Sequence, residues 1–144
     1  MEENKMDKSL EFLKMCTKAE EIQRIWKITD GDFYIIKKTG KIKPTKIHVL
    51  NDWETKSYII DHRDYFVWIP HLDQLHEMVD WINWEIGIRK RDKLEMYYAR
   101  ISGEDYRGVV TGASMEQLWL AFCQKILYKK IWDGENWIED QNNR

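Results

Sequence analysis

"SMEQLWLAFCQKILYKKIWDGENW", residues 114–137, is the stretch that decides the fold. Ser114 followed by Gln117 is the pattern of a capping box, in which a hydroxyl and an amide each bind a backbone N–H at the start of a helix. The apolar residues that follow recur at helical spacing and form a broad face: Met115, Leu118, Trp119, Phe122, Cys123 and Ile126. The stretch therefore predicts a long helix that buries this face.

The residues after this helix predict a hairpin. Asp133-Gly134 is a strong turn signal, and a four-residue loop over 133–136 sets Trp132 opposite Trp137. With Trp119, these tryptophans have two interpretations: a stacking platform for a base or sugar, or a core residue with a lid over the helix. The place of Trp119 on the apolar stripe favours the second interpretation.

Upstream of this stretch, helical and strand-like segments follow one another without strict alternation. Residues 9–26 predict a helix with a break near Thr17, and residues 71–90 predict another helix. Residues 51–56 predict a turn, and the predicted strands cover 33–38, 47–50, 57–60, 65–70, 93–101 and 109–111. The fold class is therefore α+β, with about three helices packed on a small, mainly antiparallel sheet. We expect one compact domain over 1–144, with loose tails at 1–8 and 139–144.

The predicted helix over 71–90 carries the leading functional hypothesis. Five apolar residues share one face: Leu72, Leu75, Val79, Ile82 and Ile86. Trp81 and Trp84 lie off that face or at its edge, so the helix is either sandwiched between layers or exposes aromatic surface to a partner. We expect a non-catalytic protein-interaction module that binds another protein through Trp81, Trp84, Trp132 and Trp137. A homo-oligomer is an open alternative.

The charge distribution allows nucleic-acid binding as an alternative function at one stretch of the chain, residues 37–46. The 144 residues hold 25 Asp and Glu against 23 Lys and Arg, a formal net charge of −2, so no global positive field attracts nucleic acid. Residues 37–46 nevertheless concentrate five lysines between two predicted strands: Lys37, Lys38, Lys41, Lys43 and Lys46. With Phe33 and Tyr34 nearby, this stretch is either a nucleic-acid interface or a solvated sheet edge.

Residues 61–64, "DHRD", carry a second alternative, an enzyme. Asp61, His62 and Asp64 in one turn have the donor types for a divalent metal or a general base, although a solvated turn has the same composition. Residues 108–114, "GVVTGAS", lead into a helix N-terminus, which attracts anions, but they lack the lysine and glycine spacing of a P-loop. No other spacing indicates a catalytic or metal site, and we expect no cofactor.

Cysteine use and hydropathy indicate an intracellular protein. Cys16 and Cys123 lie far apart without a CxxC pattern, so we expect free thiols in a reducing cytoplasm. No run approaches the roughly 20 apolar residues that span a bilayer, so we expect no membrane partner.

Two segments resemble small proteins encoded by phages and prophages of Gram-positive bacteria. The first segment pairs Trp68 and Pro70 with Asp73-Gln74-Leu75, as Trp-x-Pro-x-x-Asp-Gln-Leu. The second combines a Ser-x-Glu-x-Leu-Trp helix with a Trp-x-Gly-x-x-Trp ending: Ser114, Glu116, Leu118 and Trp119, then Trp132, Gly134 and Trp137. The resemblance covers roughly a quarter of the chain and excludes residues 37–60. It implies a phage origin, an intracellular life in the cytoplasm of a host bacterium and a single compact domain, and it brings no established activity that could be carried over. We expect the partner protein to come from the host or the phage.

Overall fold

A computed structural model describes residues 6–37, 46–79, 85–91, 96–102 and 107–141. They fall into an N-terminal unit, Lys8–His71, and a C-terminal unit, Met1–Asp7 with Leu72–Arg144. The α+β prediction is confirmed in its main terms, since helices and strands are mixed and each strand pairing in the described residues is antiparallel. The prediction of three helices on one sheet is wrong: the described parts hold five α-helices and three small sheets. A single domain with loose ends at 1–8 and 139–144 stays a prediction.

The N-terminal unit begins with two short helices, α1 (Leu10–Lys18) and α2 (Glu20–Arg24). The Ser9 hydroxyl caps α1 by accepting a hydrogen bond from the Phe12 N–H at 3.2 Å. Ala19 separates the helices because its backbone, at φ −84° and ψ 71°, is not helical. The predicted helix with an internal break is thus confirmed, with the break two residues beyond Thr17.

Three short strands form the sheet of this unit. The central strand β1 (Phe33–Ile36) pairs antiparallel with β2 (His48–Val49) on one side and β3 (Phe66–Ile69) on the other. Two hydrogen bonds fix α2 to β3, since the Gln23 amide accepts from the Trp68 N–H at 2.7 Å and donates to the Trp68 carbonyl at 2.9 Å.

The segment between β2 and β3 folds as α3 (Trp53–Asp61) and a 3₁₀ turn (Arg63–Tyr65). The predicted turn over 51–56 and strand over 57–60 are therefore wrong. The Asp52 carboxylate accepts hydrogen bonds from the Thr55 N–H at 2.7 Å and the Thr55 hydroxyl at 2.9 Å. This N-cap starts a helix that outweighs the strand propensity of the β-branched and aromatic residues after it.

The C-terminal unit opens with α4 (Leu72–Val79) and a meander of β4 (Glu85–Arg91), β5 (Met96–Ser102) and β6 (Arg107–Gly112). The predicted helix over 71–90 is wrong over residues 85–90, because β4 pairs with β5 along its whole length, from Glu85↔Ser102 to Arg91↔Met96. Trp81 and Trp84 lie outside the described residues.

The stretch quoted first forms α5 (Met115–Tyr128) and a hairpin of β7 (Lys130–Trp132) and β8 (Trp137–Glu139). The Ser114 hydroxyl accepts from the Gln117 N–H at 3.1 Å, and the Gln117 amide oxygen accepts from the Ala113 N–H at 3.2 Å. The predicted helix start and hairpin are confirmed, and Trp132 pairs with Trp137. The helix is more deeply buried than one apolar face implies, because all ten residues over 117–126 are buried.

Candidate functional site

The C-terminal tryptophans pack into the C-terminal unit. Trp119 is 7% exposed, and its ring makes edge contacts with His76 and Phe122 at centroid distances of 4.1 and 5.2 Å. Trp132 is half-buried and Trp137 is buried, with their rings 5.0 Å apart. Trp132 and Trp137 contact each other and Trp119 contacts His76 and Phe122, which favours the interpretation as core and lid over that as an open stacking platform.

A buried ion pair holds the hairpin against α5. The Lys125 ammonium contacts the Asp140 carboxylate, and the two side chains are 9% and 3% exposed. The Asp140 N–H also donates to the Lys129 carbonyl at 2.8 Å, just after α5 ends. The aliphatic part of Lys125 covers Gly108 of β6, where an added Cβ would lie 2.6 Å from Cε. Helix, sheet and hairpin therefore meet at this one lysine.

The N-terminus of α5 already has an anion beside it. The Asp7 carboxylate accepts from the Ser114 hydroxyl and, at 3.1 Å, from the Gln117 amide. The Asp7 N–H donates in return to the Glu116 carboxylate at 2.9 Å. The helix N-terminus that follows residues 108–114 is thus occupied by the carboxylate of Asp7.

The "DHRD" residues do not converge on a catalytic or metal site. Asp61 and Asp64 are exposed, while His62 places Nδ1 2.9 Å from the Tyr58 carbonyl and stacks its ring on Tyr58 at 4.1 Å. Arg63 turns away and donates to the Trp26 carbonyl at 2.8 Å. Over the described ranges, no three His, Cys, Asp or Glu side chains form a group that could hold a metal ion.

A continuous series of ring contacts crosses the N-terminal unit and reaches solvent at Tyr58 and Tyr65. We call it the aromatic ladder; adjacent rings have centroids 4.1 to 6.3 Å apart, in the order His48, Tyr34, Phe66, Tyr58, His62, Tyr65. It runs from the sheet edge at β2, across β1 and β3, to α3 and the 3₁₀ turn. Tyr34 is buried in its middle, where desolvation and the negative charge of Asp52 raise the pKa of the phenol.

The far end of the ladder is open to solvent. Tyr58 and Tyr65 are 55% and 61% exposed, and His62 lies half-buried between them. Sequence reasoning missed this trio because it assigned Tyr58 and Tyr65 to strands. The spacing of four and three residues from Tyr58 to His62 to Tyr65 is the signal that, on a helix and its following turn, would have placed them on one face.

Two lysines flank the ladder. The Lys37 N–H donates to the Tyr65 carbonyl at 2.8 Å, which continues the β1–β3 register and sets Lys37 directly opposite Tyr65. Lys46 stands two residues before His48, at the other end of the ladder, and both lysines are exposed. Lys38, Lys41 and Lys43 lie outside the described residues. Phe33, named with Tyr34 at the sequence level, turns instead toward His71, with ring centroids 4.2 Å apart.

Charge differs between the two units. Residues 8–71 hold twelve Lys and Arg against nine Asp and Glu, a formal net charge of +3. The remaining residues hold eleven against sixteen, a net charge of −5. The overall net charge of −2 is thus the sum of a basic N-terminal unit and an acidic C-terminal unit, and the aromatic ladder belongs to the basic unit.

A second exposed surface lies on another side of α3. Trp53 is 78% exposed, and Ile60, seven residues later and so on the same helix face, is 51% exposed. Since α3 has one buried residue, Ile59, most of this helix faces solvent. A tryptophan this exposed is unusual, and exposed apolar surface of this kind marks interaction sites.

No protein-family model, no curated protein and no solved structure matches this chain. The resemblance to phage and prophage proteins therefore stays a prediction. Neither Cys16 nor Cys123 forms a disulfide, and both side chains are buried. Among the described residues no helix has the length and apolar character needed to cross a bilayer.

Proposed function

We propose that this chain is a non-catalytic nucleic-acid-binding protein and that its N-terminal unit carries the interface. The observation that supports this most is the pairing of exposed aromatic rings with an exposed cation, since Tyr65 lies directly opposite Lys37. Phosphates recruit cations without regard to sequence, and bases stack on open aromatic faces. The aromatic ladder and its flanking lysines supply both kinds of group in the basic unit.

The first test measures binding of a fluorescein-labelled 20-nucleotide strand by fluorescence anisotropy at several salt concentrations. We expect affinity to fall linearly with salt on a double-logarithmic plot, because each phosphate contact releases counterions. The double substitution Lys37→Glu and Lys46→Glu should weaken binding at least tenfold and reduce the salt slope by about one per lysine.

A matched control separates a local interface from a general charge effect. Lys8 and Lys18 are exposed lysines of the same unit, just before and at the end of α1, a helix that supplies no ring to the ladder, and converting both to Glu changes the net charge equally. We expect this control to bind like the wild type. Equal loss in both double variants, or binding that is independent of salt, would contradict the proposal.

A second candidate function keeps the interaction module expected from the sequence but moves its surface. Trp53 and Ile60 favour it, because they expose a large apolar area on α3. Its partner would be a host or phage protein, in line with the resemblance noted above. We expect Trp53→Ser with Ile60→Ser to abolish capture of one defined protein after nuclease treatment, while the Lys37 and Lys46 variant retains it. Self-association through this face would appear as a concentration-dependent sedimentation coefficient that the same variant removes.

A further inference from the structure

The aromatic ladder also indicates which form of nucleic acid it fits; this inference rests on the proposed function. We infer that it binds single strands, DNA or RNA, by stacking unpaired bases on Tyr58 and Tyr65 while Lys37 contacts the adjacent phosphates. Three features support this inference: the exposed tyrosine rings, the contacts that hold them in place and the charges that surround them.

The open ring faces select unpaired bases. Tyr58 and Tyr65 are each more than half exposed, and both stand on the surface of α3 and the 3₁₀ turn. A duplex keeps the faces of its bases covered by their neighbours, so rings on a convex helical surface meet only its edges and phosphates. A single strand turns its bases outward and offers the faces that stack on tyrosine.

The rings are held in place before any ligand arrives. One face of Tyr58 is covered by the stacked His62 ring, with an interplanar angle of 17°. Tyr58 also makes a T-shaped contact with Phe66 at 6.0 Å and 89°, and Phe66 contacts the buried Tyr34 at 5.7 Å. Because the ladder fixes the ring of Tyr58, a stacking base costs little side-chain entropy.

The surrounding charges disfavour a duplex. The exposed Asp61 and Asp64 lie three residues after Tyr58 and directly before Tyr65 in the sequence, whereas the cation of the site, Lys37, lies opposite Tyr65. Double-stranded DNA carries about one charge per 1.7 Å of axis on a stiff backbone, so it cannot turn its phosphates away from these carboxylates. A single strand can direct its phosphates to Lys37 and its bases to the rings.

The test compares a labelled 20-nucleotide strand with its own duplex, in deoxyribose and ribose forms, by fluorescence anisotropy. We expect the single strand to bind at least tenfold more tightly than the duplex. Tyr58→Leu with Tyr65→Leu should weaken single-strand binding at least tenfold and change duplex binding less than twofold, while the matched pair of Phe variants restores wild-type affinity. Photo-crosslinking followed by peptide mapping should place the crosslinks on Tyr58 and Tyr65.

Three outcomes separate the two proposals. Equal affinity for strand and duplex, or wild-type binding by the Leu pair while the Lys37 and Lys46 variant is weakened, overturns the single-strand inference and leaves the proposed function standing. Absence of binding to every oligonucleotide overturns the proposed function itself. If the Leu pair proves misfolded by circular dichroism, Tyr65→Leu alone decides, because Tyr65 is 61% exposed and lies at the end of the ladder.

Discussion

Substitution of Lys125 by Met tests how the hairpin is held to α5. The change keeps an unbranched apolar side chain one atom shorter and removes the charge, so the Asp140 carboxylate remains buried without its cation. Both side chains are less than one-tenth exposed, so solvent screens their interaction little. We expect Lys125→Met to destabilise the C-terminal unit strongly.

The magnitude follows from the cost of an uncompensated buried charge, which is about 3–5 kcal/mol when one partner of a buried pair is removed. Since a domain of this size has a total stability of about 5–15 kcal/mol, the loss is a large fraction of it. Asp140→Leu should cost a similar amount, because it leaves the ammonium buried beside Gly108. The double variant should be clearly more stable than either single variant, since an apolar pair of similar volume buries no charge.

Urea denaturation, followed by circular dichroism and tryptophan fluorescence, measures these stabilities. Arg24→Met serves as the control, because Arg24 pairs with Glu20 at 3.6 Å with both side chains about three-quarters exposed, and such pairs contribute little. If the two single losses simply add in the double variant, or if Lys125→Met behaves like the control, then the pair does not hold the hairpin.

Three further substitutions test other parts of the C-terminal unit. Gly112→Ala should lower stability by about 1–3 kcal/mol in thermal unfolding, because the new Cβ would lie 2.8 Å from the Gln117 carbonyl carbon and closer still to the Leu118 nitrogen; an unchanged melting temperature would contradict this. Gln124→Met should raise the melting temperature, because Gln124 is fully buried and neither amide atom has a hydrogen-bond partner among the described residues. Burying an amide without a partner costs about 1–3 kcal/mol of stability. A lower melting temperature in the variant would show that the amide is satisfied. Desolvation lowers the pKa of His76, whose ring edge meets Trp119, although the residue as a whole is exposed. The folded state therefore disfavours the imidazolium, so the free energy of unfolding should fall as the pH drops below 6.5 toward the lower pKa of the folded state. In His76→Asn this fall should be smaller. Equal pH dependence of the free energy of unfolding in the wild type and the variant would refute the prediction.

Local sequence signals predicted an element where they were strong and unambiguous. The Ser114 cap, the apolar residues of α5 and the Asp133-Gly134 turn all agree with the structure, because each is fixed by residues close together in the chain. The cap of α3 was equally local, but the prediction gave weight to the strand propensity of residues 57–60 and overlooked Asp52.

The error over residues 85–90 has a different origin. Leu72, Leu75, Val79, Ile82 and Ile86 fit a helical period, but residues 85–91 also alternate in the manner of a strand. Pairing with β5 decides between the two, and this partner lies beyond the reach of a local pattern. A contact of this kind can be predicted only once the strand order is known.

The candidate site likewise combines features that the local sequence predicts with features that depend on tertiary contacts. The lysine-rich stretch was visible from composition, and Lys37 and Lys46 are exposed as an interface requires. The aromatic ladder was not visible, because its six rings come from β1, β2, β3, α3 and the 3₁₀ turn. Only the folded unit brings them into contact.

The burial of α5 on all sides has a consequence for how this protein tolerates mutation. A saturation scan of an ordinary surface helix shows sensitive positions every three or four residues, whereas ten adjacent positions over 117–126 should form one unbroken sensitive block. In α3, where Ile59 alone is buried, most substitutions should leave the stability of the fold nearly unchanged. We therefore expect distant relatives of this chain to keep similar side-chain sizes at each position over 117–126, while the sequence of α3 varies freely.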